Sequence, residues 1–228
     1  VVEHAQRRNL RVIDATCPLV NKVHRQAQRY NRQGMDVIII GHRGHPEVEG
    51  TRGRVEGPVY ILSNPGEVEV LKVVNPNRLA YITQTTLSID DTREVIDALK
   101  RRFPAIKGPD LSDICYATQH RQKAVYRMAK EIDLLLVVGS RNSSNSNRLR
   151  EVGQQNGLPA YLIEDAEDIN PAWLRGNGKI GITAGASTPE VLVQRVLKRL
   201  GELGASSVTE MEGERETMQF RLPEPFTP

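Results

Sequence analysis

Cys17 sits in the stretch IDATCPLV, residues 13–20, between an apolar run and Pro18. Proline suits the first turn of a helix. The sulfur is therefore expected at a helix N-terminus, where the positive end of the dipole favours a thiolate. The chain holds 2 cysteines, and the other is Cys115. They lie too far apart in sequence for a redox CxxC pair. Two thiols are too few for a structural zinc site without other ligands, and an iron–sulfur cluster needs several thiolates.

Polar loops are the other places where chemistry can reside. GHRGHPEVEG, residues 41–50, brings His42, His45, Glu47 and Glu49 together. His45 and Glu47 are two apart, unlike the i,i+4 histidines of a helical zinc motif, so a metal site is one reading among three. An imidazole beside a carboxylate can pass protons to a substrate, and a solvated turn is the plain alternative. GSRNSSNSNRLR, residues 139–150, follows an apolar run and enters a helix-like segment. Ser and Asn side chains with the free N–H groups of a helix start make an anion cradle, whereas simple N-capping needs only one such residue. TQTTLS (83–88) and TAGAST (183–188) also put hydroxyls before helices, with Ser88 and Thr188 as candidate caps. Together these loops suit a ligand with more than one phosphate.

Regular elements must aim those loops. Strands are expected at 10–14, 36–40, 59–62, 79–83, 134–138, 160–163 and 179–183. Most are unbroken β-branched or leucine runs, the pattern of strands buried on both faces of a parallel sheet. Helices are expected at 18–33, stopped by Gly34, at 89–103, and at 189–200 with Thr188 as cap. The alternation means α/β. The opening VVEHAQRRN reads as the end of a helix, and the tail from about 205 as a closing strand or an arm.

The chain also repeats. Gly41 closes a strand 24 residues after Cys17, and Gly139 closes one 24 residues after Cys115. Thr83 follows Cys17 by 66 residues, and Thr183 follows Cys115 by 68. An offset of about 98 residues implies repeated α/β domains of related topology around a central site. The expected division is a remnant at 1–14, domains at 15–112 and 113–205, and a tail at 206–228. Ligands bind at the carboxyl ends of parallel strands, so both cysteines and the polar loops are expected around one centre. A further unit of the same repeat would carry a third cysteine, upstream of Val1.

Composition narrows the classes. Aromatics make up 4% of the chain, too few for base-stacking surfaces. The 31 Lys and Arg against 28 Asp and Glu leave a net charge of +3, too balanced for a DNA-binding face. No apolar run approaches a membrane span, and no secretory leader is visible. A cytoplasmic protein with no nucleic-acid or membrane partner is expected. His4, His24 and His120 read as surface residues and Trp173 as packing.

DATCPLVNKVH, GHRGHPEVEG, TQTTLSIDDT, DICYATQHRQ, GSRNSSNSNRL and TAGASTPE resemble the motifs of the LytB family, the 4-hydroxy-3-methylbut-2-enyl diphosphate reductases. They run over residues 10–200. The resemblance implies three α/β domains in pseudo-threefold arrangement around a 4Fe–4S cluster, with the first domain largely missing here. It implies the last step of the methylerythritol phosphate route to isoprenoids. There the substrate hydroxyl is removed reductively to give isopentenyl and dimethylallyl diphosphate, with a ferredoxin or flavodoxin as electron donor. By the same resemblance Cys17 and Cys115 are two of three cluster ligands, and Glu47 is the proton donor. His45 is a diphosphate-side contact, and Thr85 is the hydroxyl beside the substrate alcohol. Ser143, Ser144, Asn145 and Ser187 form the diphosphate cradle. The family's first cysteine and two first-domain histidines find no match, so an N-terminally shortened chain is expected. A phosphate-binding module without redox chemistry, or an inactive fragment, are the alternatives.

Overall fold

In the computed structural model of this protein, residues 2–214 and 217–220 are described. Helix α1 (Val2–Arg7) leads through an irregular stretch to α2 (Pro18–Arg32). Helix α2 ends before Gly34, whose φ of 68° is a left-handed conformation that glycine adopts at no steric cost. Then come β1 (Asp36–Ile40), α3 (Pro46–Arg52), β2 (Val59–Leu62), α4 (Pro65–Val70), β3 (Leu79–Thr83) and α5 (Ile89–Arg102). The second half runs α6 (Tyr116–Met128), β4 (Leu134–Val138), α7 (Ser144–Gln155), β5 (Ala160–Ile163), two short 3-10 turns, β6 (Ile180–Ala184) and α8 (Glu190–Glu202).

All pairings between these strands are parallel, in two sheets of order β2-β1-β3 and β5-β4-β6. The winding is the same in both. The central strand comes first, one neighbour follows, and the third strand crosses to the other side. Each half is thus an α/β unit of one topology, as the repeat implied.

Burial on both faces explains the unbroken apolar runs. Ile38 and Ile40 pack with Val95, Ile96 and Leu99 of α5, while Val37 and Ile39 pack with Val23 and Ala27 of α2. In the second sheet Leu134, Leu136 and Val138 face Val196 and Leu200 of α8. Leu135 and Val137 face Val125 of α6 and Leu149 and Val152 of α7. Trp173 is a packing residue, stacked on Tyr161 with ring centroids 3.9 Å apart.

The structure corrects several expectations. Residues 10–14 are not a strand. Leu10 and Ile13 are exposed, Asn9 takes a left-handed φ, and Asp14 Oδ1 accepts from Thr16 N in a local turn. The run has the residue types of a strand but no sheet edge beside it. Thr188 does not cap α8, because its hydroxyl donates to Val138 O at 3.0 Å instead. His24 is buried on the face of α2 that covers β1, not on the surface. His120 is half-buried and pairs with Glu214. Residues 205–214 form an arm without strand pairing, and 221–228 of the expected tail lie outside the described residues.

Candidate functional site

The carboxyl ends of the inner strands open into the polar loops: β1 into 41–45, β3 into 84–88, β4 into 139–143 and β6 into 185–189. In each sheet the chain leaves the central strand toward opposite sides, which is where ligands bind in doubly wound sheets.

His45 caps α3, its Nδ1 accepting from Glu47 N at 3.2 Å. A backbone N–H can only donate, so Nδ1 carries the lone pair and the neutral ring keeps its proton on Nε2. Burial first, and repulsion from His42 second, hold His45 below the ordinary histidine range.

The same turn delivers Glu47 to the loop after β3. Its Oε1 accepts from Thr85 N at 2.8 Å and its Oε2 from Thr85 Oγ1 at 3.0 Å. Burial pushes the Glu47 carboxyl up, the two Thr85 hydrogen bonds pull it back, and the charge of Asp113 adds to the rise. The net direction is upward, toward a carboxyl that can carry a proton nearer neutral pH.

Thr85 also reaches the second half. Its carbonyl accepts from Cys115 N at 3.0 Å. Cys115 is the N-cap of α6, as the sequence suggested, with its sulfur accepting from Thr118 N at 3.3 Å and lying 3.0 Å from Thr118 Oγ1. Cys17 is the N-cap of α2, with Pro18 in the first turn and no side-chain capping bond. Both thiols are free, Cys17 exposed and Cys115 half-buried. One tie joins their neighbourhoods. Lys22 of α2 donates to Ser112 O at 3.0 Å and lies 3.4 Å from the buried Asp113 carboxylate.

Across from Glu47 lies the start of α7. Ser143 caps it by accepting from Ser146 N at 3.2 Å. Ser144 Oγ is 3.0 Å from Thr86 Oγ1 and 3.2 Å from Gln84 Nε2, so the loops after β3 and β4 touch. Asn145 is buried with its Nδ2 unpartnered, and so is Ser146 Oγ. Buried polar atoms are normally satisfied, so these two await a partner. A Cβ on Gly139 or Gly185 would stand 2.3 or 2.2 Å from Ser146 Oγ, and one on Gly185 would meet Asn145 Nδ2 at 3.5 Å. Glycine at both strand ends therefore lets the helix start come close. Ser187 is exposed in the loop that Gly185 begins.

The structure thus joins Glu47, His45, Thr85, Cys115, Ser143, Ser144 and Asn145 through one set of contacts. Among the described residues no hydrogen bond ties the side chain of Cys17 or Ser187 to that set. The sequence reading passed over Gln84, Thr86 and Gln122, though each lies inside a quoted motif. Gln122 is fully buried and spans the loop after β3, donating to Leu87 O at 2.8 Å and accepting from Ile89 N at 3.2 Å. A glutamine in an otherwise apolar helix stripe was the available signal.

Comparison with known proteins places this arrangement. The LytB protein family model matches residues 1–201. The chain belongs to the LytB family. A relative from Chromohalobacter salexigens, named 4-hydroxy-3-methylbut-2-enyl diphosphate reductase, is 56% identical over 228 residues, covering 98% of this chain and 72% of that protein. The solved structure of the E-1-hydroxy-2-methyl-but-2-enyl-4-diphosphate reductase from Plasmodium falciparum superposes with a TM-score of 0.89 at 36% identity, covering 97% of this LytB chain and 70% of that one. A second solved reductase, described as the terminal enzyme of the non-mevalonate pathway, matches with a TM-score of 0.56 at 34% identity over 88% of this chain and 71% of that one. The LytB relatives are reductases, and this chain spans about 72% of the length of the relative it matches. Among the described residues no helix is long and apolar enough to cross a membrane.

Proposed function

We propose that the protein carrying this LytB chain reduces 4-hydroxy-3-methylbut-2-enyl diphosphate to isopentenyl and dimethylallyl diphosphate, with Glu47 as proton donor. The observation that carries the reading is the Glu47–Thr85 pair, a carboxyl of raised proton affinity beside a hydroxyl-lined helix start. The domain division at 112/113 fits it, with one sheet on each side and the site between them.

The reaction removes the substrate hydroxyl as water and consumes two electrons and two protons. Ionised Glu47 accepts both polar hydrogens of Thr85. Once Glu47 carries a proton, that proton lies toward Thr85 Oγ1, and the threonine hydroxyl turns outward. Thr85 then gives its proton to the leaving hydroxyl while Glu47 replaces it. One proton moves and Glu47 returns to the ionised acceptor.

The diphosphate takes only hydrogen-bond acceptors' roles, so the cradle must donate. Ser143 accepts from Ser146 N and keeps its own O–H free. Asn145 Nδ2 is an unpartnered donor, and Ser144, Ser187 and His45 Nε2 complete the set. The free N–H groups at the start of α7 add to it.

The donor chemistry fits two positions of a 4Fe–4S cluster and no more. Cys17 and Cys115 offer two thiols at helix N-termini, and among the described residues no group of three His, Cys, Asp or Glu side chains could hold a metal ion. When bound, the cluster supplies the electrons, received from a ferredoxin- or flavodoxin-type donor in the cytoplasm; the steps above run through side chains alone.

The test is anaerobic reconstitution with iron and sulfide, comparing this chain with one extended upstream in its own reading frame. About four irons with a broad visible band in the extended chain support the reductase. No cluster in either chain, with diphosphate still bound, makes this a phosphate-binding module instead.

A further inference from the structure

We propose that Gln84 is a positioning residue that sets the direction of the Thr86 and Ser144 hydroxyls, so that the pair always presents an O–H donor to the diphosphate. This rests on the cradle reading above and deepens it.

Gln84 is 1% exposed and lies directly after β3, beneath Thr86 and Ser144, which are both half-buried. Its amide can be oriented without ambiguity. Oε1 is 3.1 Å from His42 N, and a backbone N–H only donates, so that end is the carbonyl oxygen. The other end is therefore the NH2 group. It points its two hydrogens at Thr86 Oγ1, 2.9 Å away, and Ser144 Oγ, 3.2 Å away.

The consequence is a count of protons. An NH2 group cannot accept, so neither hydroxyl can point at Gln84. The two oxygens are 3.0 Å apart and share one proton between them. One hydroxyl proton is left over, and its remaining free direction is outward. An anion whose oxygens only accept is matched by that proton; a neutral hydroxyl ligand needs no such arrangement. Because Gln84 also holds the first residue after Gly41, it fixes the 41–45 loop, the 84–88 loop and the start of α7 to one another.

The experiment measures inorganic diphosphate binding to the full chain by calorimetry, with the thermal midpoint recorded for each variant. Gln84→Met keeps the length and removes all three hydrogen bonds. It is expected to weaken binding about tenfold. In a Thr86→Val/Ser144→Ala background, where no hydroxyl remains to be turned, the same change is expected to cost less than about twofold. Equal losses in both backgrounds show a merely structural role and overturn the proposal. Gln84→Glu keeps an oxygen toward His42 N but replaces the donors with an acceptor, and it is expected to bind more weakly than Gln84→Met. It carries the test if the Met variant does not fold, and wild-type affinity in Gln84→Glu overturns the proposal. Absence of diphosphate binding in the wild-type chain overturns the cradle reading itself.

Discussion

Thr85 gives Glu47 both of its polar hydrogens, the backbone N–H at 2.8 Å to one carboxylate oxygen and the hydroxyl at 3.0 Å to the other. Thr85 O accepts from Cys115 N at 3.0 Å, so one residue links the carboxylate to the second sheet's cysteine turn. The arrangement has consequences for stability as well as for proton transfer.

Burial raises the Glu47 pKa above the ordinary carboxylate value of 4.5. The folded state then binds more protons than the unfolded state between those two values. Stability contributed by Glu47 is thus full below 4.5 and falls as pH rises through the raised folded value. Glu47→Gln removes that loss. Its amide oxygen can accept from Thr85 N while its NH2 donates to Thr85 Oγ1, the pattern of protonated Glu47. The variant is expected to melt higher than wild type at pH 7 and equally near pH 4. Thermal melts across that range check it, and a Glu47→Gln midpoint below wild type at pH 7 contradicts it.

Thr85→Val keeps the N–H and removes the hydroxyl. Turnover in the extended chain should fall by about 10²-fold or more, the usual contribution of a positioned proton-transfer group. Thr85→Ser should recover most of it. Steady-state rates with both variants decide, and an unimpaired Val variant removes Thr85 from the proton path.

His45 has two separable jobs. His45→Ala loses the cap and should cost about 1 kcal/mol of stability. His45→Asn restores a capping oxygen but not the Nε2 donor. It should melt near wild type and still bind diphosphate several-fold more weakly. Paired melting and calorimetry separate the two effects, and wild-type binding in both variants excludes His45 from the cradle.

Gly139→Ala puts a methyl 2.3 Å from Ser146 Oγ and 2.9 Å from Ser146 Cβ. The start of α7 must shift, at an expected cost of about 1–3 kcal/mol, with weaker diphosphate binding. Gly201, with nothing near its Cβ position, is the control. Urea denaturation of Gly139→Ala and Gly201→Ala provides the comparison.

The sheets were legible because their strands are buried on both faces, so runs such as DVIII and LLLVV stand out without any alternation. The cysteine turns were legible because Pro18 and the Thr118 side of α6 mark helix starts. Residues 10–14 misled for the same reason that the true strands were found: apolar β-branched residues signal a strand, but only a neighbouring edge makes one. His24 misled because imidazole carries no fixed preference, and its burial follows from α2 lying on β1. Gln84 was invisible as a site residue because its role depends on three loops meeting, a long-range fact. Thr188 looked like a cap by position, yet Val138 O offered its hydroxyl a better partner.

The most direct measurement is turnover of 4-hydroxy-3-methylbut-2-enyl diphosphate by the extended, reconstituted chain carrying Glu47→Gln, with substrate affinity and iron content measured on the same sample. The account predicts that turnover falls by at least about 10²-fold while iron content and affinity stay near wild type. Turnover equal to wild type in a sample with full iron content contradicts it and takes the proton-donor role from Glu47.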